Sequence, residues 1–154
     1  MFNIIILTIG KVKERYFQTA IDEYLKRLSP YAKITFQELK AESFSSATKL
    51  KAKEIEGSRL INFLDKHKDS KIYILDERGK EYTSVELAGN LEKSGQEIIF
   101  VIGGSLGLNQ EILKNYTNHF SLSKLTLPHE LARVVLVEQL YRSVTILKNK
   151  EYHY

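Results

Sequence analysis

Side chains suited to proton transfer are concentrated near the C-terminal end of the chain. His129 follows Pro128 at the start of a long apolar segment, and the chain ends with Tyr152, His153 and Tyr154. Histidine changes its charge near neutral pH, so His129 and His153 are candidates for a general base. His129 is predicted to lie in the first turn of a helix, where the helix dipole favours the neutral imidazole.

Arg133 lies within the same apolar segment. A buried charge needs a partner, because an unpaired one is very costly. Arg133 could extend to the protein surface or pair with a nearby glutamate, or it could face an anionic ligand or an RNA phosphate. The tail leaves a similar choice open, since its tyrosines could stack on a base or pack against the protein itself.

A glycine-rich segment, GGSLG at 103–107, follows one predicted strand and precedes a helix. It fits the G-x-S-x-G pattern in which Ser105 would be the nucleophile of a serine hydrolase. No aspartate follows Ser105, however, and the oxyanion motif of that class is missing. The segment also lacks the lysine of a P-loop, so the alternatives are a glycine turn that approaches a ligand closely and a turn without a ligand.

The elements that position these residues can be read from the hydrophobic pattern. Strands are predicted over 2–9, 34–39, 71–76, 97–102 and 119–122, and helices over 14–28, 46–67, 83–93, 109–116 and 128–147. Gly57 marks a candidate break in the second helix. Strands that alternate with helices predict an α/β fold with a mostly parallel sheet and helices on both faces. The chain has no repeat or linker, so residues 1–154 form a single predicted domain.

Ligands of such sheets bind beyond the carboxyl ends of the strands. The pattern therefore indicates a site formed by three loops, at 75–79, 103–107 and 122–127. The last helix is apolar over more than one stripe, with Leu131, Val135 and Ile146 opposite its main apolar face. It is either sandwiched within its own core or pairs with a second copy in a homodimer.

Composition limits the other possibilities. The chain has no cysteine, which excludes disulfides and thiolate metal sites, and we predict no metal. No apolar run approaches the length of a membrane span, and the N-terminal segment reads as a buried strand rather than a signal peptide. We therefore expect a cytoplasmic protein with no membrane partner. A net charge of +4 is compatible with an RNA partner.

Several segments together carry a resemblance to a known family. They are the strand ending in Gly10 and Lys11, the strand 72–76, FVIGGSLG at 100–107, SLSKLTLPH at 121–129, RVV at 133–135, EQLYR at 138–142, and the terminal Tyr152 and His153. Over essentially its whole length the sequence resembles the ribosomal RNA large subunit methyltransferase H family, within the SPOUT methyltransferases. One departure is the last residue, Tyr154, where relatives tend to end in a basic residue.

The resemblance implies a trefoil knot near the C-terminus and S-adenosylmethionine as the methyl donor. It also implies a homodimer that methylates N3 of a pseudouridine in 23S rRNA on the assembled 70S ribosome. The implied cofactor contacts are Leu75, Gly103, Leu122, Ser123, Lys124, Leu125, Thr126 and Leu127. These residues belong to the same three loops that the strand-end argument selects.

The catalytic roles are hypotheses that follow from the resemblance. His153 or Tyr152 would lie near the target base, with the tail reaching across the dimer. Arg133 would face the site, and His129 would act as a base or support the loop. The alternative functions are a basic RNA-binding or ribosome-associated module without catalysis and a serine hydrolase that uses Ser105.

Overall fold

Five strands alternate with five helices in the computed structural model, which describes every residue from Met1 to Tyr154. The elements are β1 (Phe2–Ile9), α1 (Arg15–Leu28), β2 (Ala32–Leu39), α2 (Lys49–Leu64), β3 (Lys71–Glu81), α3 (Ser84–Ser94), β4 (Ile98–Ile102), α4 (Gln110–Asn115), β5 (His119–Ser121) and α5 (His129–Leu147). All ten elements were predicted from the sequence, with small differences at their ends. No helix is long and apolar enough to cross a membrane.

The strands form one sheet in the order β2-β1-β4-β3-β5, and every neighbouring pair is parallel. One face packs against α1, α3 and α5 around Ile4, Phe100 and Leu140, and the other packs against α2 and α4 around Leu7 and Leu60. The central strand β4 is completely buried, as expected for a strand covered on both faces. The predicted α/β fold with helices on both faces is therefore confirmed, and the trefoil knot stays an expectation from the family.

Beyond these small differences, two elements depart from the prediction. β3 does not end at Asp76 but continues to Glu81, with an irregularity in its pairing to β5 between Leu75 and Lys80. Gly79 permits this, because a Cβ there would lie 2.6 Å from the carbonyl carbon of His119. The residues of this stretch are mostly charged, so the hydrophobic pattern gave no signal for a strand there.

The predicted break in α2 at Gly57 is not found, since the helix is continuous through this residue. Gly57 is needed for a close contact, because a Cβ there would lie 2.1 Å from the side-chain nitrogen of Asn109. The Asn109 side chain in turn accepts a hydrogen bond from the backbone of Ile112 and caps α4. The glycine therefore brings α2 and α4 together on one face of the sheet.

Candidate functional site

A cavity of about 710 Å³ lies beyond the carboxyl ends of β4 and β5, beside the irregular middle of β3. This volume is typical of a site for a small molecule or cofactor. Its walls come from residues 75–78 within β3, from the glycine loop after β4 and from the loop that joins β5 to α5. The lining residues of these walls are Leu75, Asp76, Glu77, Arg78, Ile102, Gly103, Gly104, Ser105, Gly107, Leu108, Leu122, Ser123, Leu125, Thr126, Leu127, Pro128 and His129, joined by Lys53, Leu113 and Ala132.

Seven of the eight expected cofactor contacts line this cavity. They are Leu75, Gly103, Leu122, Ser123, Leu125, Thr126 and Leu127. Lys124 does not line it, because its side chain is 87 % exposed and points to Glu81, at 3.7 Å between the charged atoms. The structure thus brings the three predicted loops together around one space.

The wall formed by the irregular middle of β3 is held in place by side-chain and backbone contacts. Asp76 accepts a hydrogen bond from the backbone of Arg78 at 3.0 Å, and its other oxygen lies 3.5 Å from a ring nitrogen of His119. The Ser121 hydroxyl lies 3.1 Å from the carbonyl oxygen of Glu77. These contacts place the Asp76 and Glu77 carboxylates at the cavity.

The loop at 122–127 is fastened to the same wall. The Thr126 hydroxyl donates a hydrogen bond to the Glu77 carboxylate across the cavity opening. Within the loop, the Ser123 hydroxyl accepts a hydrogen bond from the backbone of Leu125 at 3.0 Å. The middle of the loop, residues 124–126, is exposed, and Leu125 is 74 % exposed. The loop is thus positioned by a few polar contacts rather than by burial.

The glycine loop forms the third wall as a tight turn. The backbone N–H of Gly107 donates to the carbonyl of Gly104 at 3.0 Å, and Gly107 has a φ of 75°, which favours glycine. Ser105 lines the cavity but makes no hydrogen bond with a histidine. A serine nucleophile needs a base within hydrogen-bonding distance, so this geometry gives the serine hydrolase alternative no support.

His129 lies where α5 begins, and it lines the cavity. Burial, together with the nearby charges of Arg133 and Lys13, lowers the pKa of His129. The imidazole is therefore neutral at physiological pH, as the helix-dipole argument predicted. A neutral imidazole at this position could accept a proton from a bound group.

Arg133 is fully buried and lies behind the cavity wall rather than in it. Its guanidinium donates hydrogen bonds to the carbonyl oxygens of Ile9 and Gly10, at 3.0 and 3.1 Å, and lies 3.5 Å from the Glu38 carboxylate. One turn earlier, Glu130 accepts two backbone hydrogen bonds from the loop after β1. In the structure, Arg133 thus holds the end of β1 against α5.

Tyr152 and His153 pack on the other end of α5. The Tyr152 hydroxyl donates to Glu138 at 3.0 Å, and the Arg142 guanidinium lies 3.2 Å from a ring nitrogen of His153. Arg142 follows His129 by 13 residues, which corresponds to about 20 Å of helix. Neither tail residue lines the cavity of its own chain.

Some lining residues were not among those named from the sequence. Asp76, Glu77 and Arg78 fall in the predicted loop at 75–79, which the structure places within β3, so the sequence located them without assigning them a role. Lys53 belongs to a helix with a mixed charge pattern, and no local signal distinguished it. No group of three or more histidine, aspartate or glutamate side chains converges as a metal site.

Comparisons with known proteins agree with this architecture. The chain covers all of an RNA methyltransferase structure from Bacillus anthracis, with a TM-score of 0.57 and 11 % identity. It also covers 71 % of a methylase family protein from Haemophilus influenzae, with a TM-score of 0.58 and 15 % identity. These two likenesses concern the fold. Residues 2–153 match the family model described as a predicted SPOUT methyltransferase.

Full-length relatives narrow the family further. A protein of Bacillus thuringiensis subsp. konkukian is 45 % identical over 159 residues, and one of Lactobacillus acidophilus is 44 % identical over 160 residues. Both alignments cover 98 % of this chain and 99 % of the relative, and both relatives are named ribosomal RNA large subunit methyltransferase H. The chain therefore belongs to the ribosomal RNA large subunit methyltransferase H family of SPOUT methyltransferases.

Proposed function

We propose that the protein transfers a methyl group from S-adenosylmethionine to N3 of a pseudouridine in 23S rRNA. Its substrate is the assembled 70S ribosome, and it acts in the cytoplasm as a homodimer. The observation that carries this proposal is the cavity of three loops at the carboxyl edge of the sheet. The full-length relatives named for rRNA methylation support the same substrate class.

The residues around the cavity suit S-adenosylmethionine. Leu75, Leu122 and Leu127 offer apolar surface for a purine ring, and the glycine loop brings backbone amides and carbonyls close to a ligand. The Asp76 and Glu77 carboxylates suit a ligand that carries cationic groups. When bound, this cofactor supplies a methyl group activated by a sulfonium, and the protein contributes chiefly by positioning the acceptor nitrogen.

The chain offers a limited set of groups for the proton of the acceptor nitrogen. His129 is neutral and lines the cavity, so it can accept a proton there. Burial and hydrogen bonding, including that to Glu138, raise the pKa of Tyr152, so its hydroxyl stays protonated. It would have to exchange its bond to Glu138 to donate to a nucleobase. His153 is the second imidazole available for this role.

The test is methyl transfer from radiolabelled S-adenosylmethionine to 70S ribosomes that lack the modification. We expect label in the large-subunit RNA, at one pseudouridine that mass spectrometry of RNA fragments can locate. Ribosomes that already carry the modification are the matched control and should take up no label. Tight cofactor binding without transfer to any ribosomal RNA would contradict the proposed reaction.

Support for a homodimer comes from α5. Leu131, Val135 and Ile146 are only partly buried, so this helix keeps apolar surface outside its own core. A second copy packed along α5 would cover that surface through a two-fold interface. Analytical ultracentrifugation should show a dimer, and an arginine at Val135 should shift it towards monomer.

Dimerisation would also explain the position of the tail. Tyr152 and His153 lie about 20 Å along α5 from their own cavity, so we propose that they act at the cavity of the partner. The test mixes two inactive variants, Gly103→Val, which blocks the cavity, and a chain truncated after Lys150. If the tail acts across the dimer, co-refolded mixtures regain activity. If it acts within its own chain, the mixture stays inactive.

A further inference from the structure

The cavity is bordered on one side by a basic segment that the proposed chemistry does not use. We call residues 40–53 the lysine rim. It begins where β2 ends, and Ala41 lies beside Gly10, with 3.6 Å between its Cβ and a Cβ placed on the glycine. It ends at Lys53, which lines the cavity. The rim therefore crosses the carboxyl edge of the sheet and reaches the cavity opening.

The rim carries positive charge that the protein does not neutralise. Lys40, Lys49, Lys51 and Lys53 form no ion pair. Glu42, the acidic residue within the rim, is paired with Arg59 of helix α2. Four lysines within 14 residues are thus available to an anionic partner.

Apolar side chains are exposed beside these lysines. Phe44 is 47 % exposed and Leu50 is 78 % exposed. The chain turns between them, since Thr48 donates its backbone N–H to the carbonyl of Ser45 at 3.1 Å and its hydroxyl accepts from the backbone N–H of Ser45. Single-stranded RNA is held through its phosphates by lysines and hydroxyl groups, and through its bases by exposed aromatic rings.

We propose that the lysine rim binds the RNA strand next to the methylated nucleotide. This inference rests on the proposed function. A base that undergoes chemistry must leave its stack and enter the cavity, so its neighbouring nucleotides must cross the cavity opening. The rim places phosphate-binding lysines and the Phe44 ring along that path.

The test compares charge removal at the rim with the same change at the other end of α2. Lys49→Gln/Lys51→Gln removes two rim charges, whereas Lys66→Gln/Lys68→Gln removes two exposed charges with the same spacing. The control lysines lie beyond the C-terminal end of this helix, which is 16 residues or about 24 Å long. Binding to unmodified 70S ribosomes is measured at several salt concentrations, with S-adenosylmethionine affinity measured alongside.

The rim variant should bind ribosomes more weakly, and the slope of log affinity against log salt should fall by about 1.4, or roughly 0.7 per lost phosphate contact. The control variant should keep the wild-type slope, and both should keep wild-type affinity for S-adenosylmethionine. Phe44→Ala should weaken ribosome binding about tenfold without changing the slope. The slope reports contacts with phosphates, whereas the Phe44 ring would stack on a base.

Equal slopes for rim and control variants would overturn the inference while leaving the proposed function intact. A rim variant that changes the sedimentation of the free protein would also overturn it, because the surface would then belong to a contact between two copies. A wild-type protein that neither binds unmodified ribosomes nor methylates them would overturn the proposed function, and the rim inference with it.

Discussion

Replacement of Arg133 by methionine tests how the cavity wall is supported. Methionine keeps much of the length and apolar character of the side chain but removes its donors. The change leaves the Ile9 and Gly10 carbonyls without the guanidinium that now donates to them at 3.0 and 3.1 Å. Glu38 loses a partner too, but its side chain is 34 % exposed and can be hydrated instead.

The expected change in the free energy of unfolding follows from the contacts that are lost and the strain that is relieved. Two hydrogen bonds from a charged donor contribute about 1.5–3 kcal/mol each, so their loss costs about 3–6 kcal/mol. The Arg133 Nε atom, however, is buried without a partner, and its removal relieves about 1–3 kcal/mol. From the midpoints of these two ranges, we expect the free energy of unfolding to fall by about 2.5 kcal/mol.

The assay is urea unfolding followed by circular dichroism at one fixed protein concentration, because the stability of the proposed dimer would depend on concentration. Arg27→Met is the matched control, since Arg27 pairs with Glu23 on the surface of α1, and its midpoint should hardly change. Unchanged or increased stability of Arg133→Met would refute the reasoning. It would place Arg133 among the buried charged residues that apolar groups can replace at no cost. S-adenosylmethionine should also bind more weakly, since Ile9 packs against Gly104 of the cavity.

Three further predictions concern other parts of the fold. Burial raises the pKa of Glu97, but hydrogen bonds led by that from Ser70 outweigh it and lower the pKa overall. Glu97→Gln should therefore reduce thermal stability at neutral pH, and its difference from wild type should shrink as the pH falls below about 4. Gly79→Ala should destabilise the protein by about 1–3 kcal/mol in urea unfolding, because its Cβ would collide with the backbone of β5. Glu77→Ala, which frees Thr126, should weaken S-adenosylmethionine binding in calorimetry without changing the melting temperature, because both residues are exposed.

The architecture was predictable because its signals are local. Continuous apolar runs identified β1 and β4, and the capping box at Thr83 located the start of α3. Once the sheet was inferred to be parallel, the rule for strand ends selected the three loops that line the cavity. The second half of β3 was missed because its residues are mostly charged, and it stays in the sheet through the pairing of Lys80 and Glu81 with β5.

The remaining parts of the site depend on contacts between distant segments. Arg133 and the carbonyl of Ile9 are separated by 124 positions, and no periodicity within α5 reveals that they meet. Lys53 reaches the cavity only because Gly57 lets α2 lie against the Asn109 cap. Sequence patterns report which face of an element is buried, but they do not report which polar atoms meet across the core.

Position 133 holds a charged side chain for a structural reason. An apolar residue there could not donate hydrogen bonds to the carbonyls at the end of β1. β1 is a central strand, and its last carbonyls lie where the ladder of strand hydrogen bonds ends. A buried carbonyl without a donor is costly, and the backbone N–H groups of α5 beyond its first turn are used within the helix. A long side chain with several donors can satisfy both Ile9 and Gly10 from one helical position. The same residue therefore ends the strand and fixes the start of α5, on which His129 is carried into the cavity.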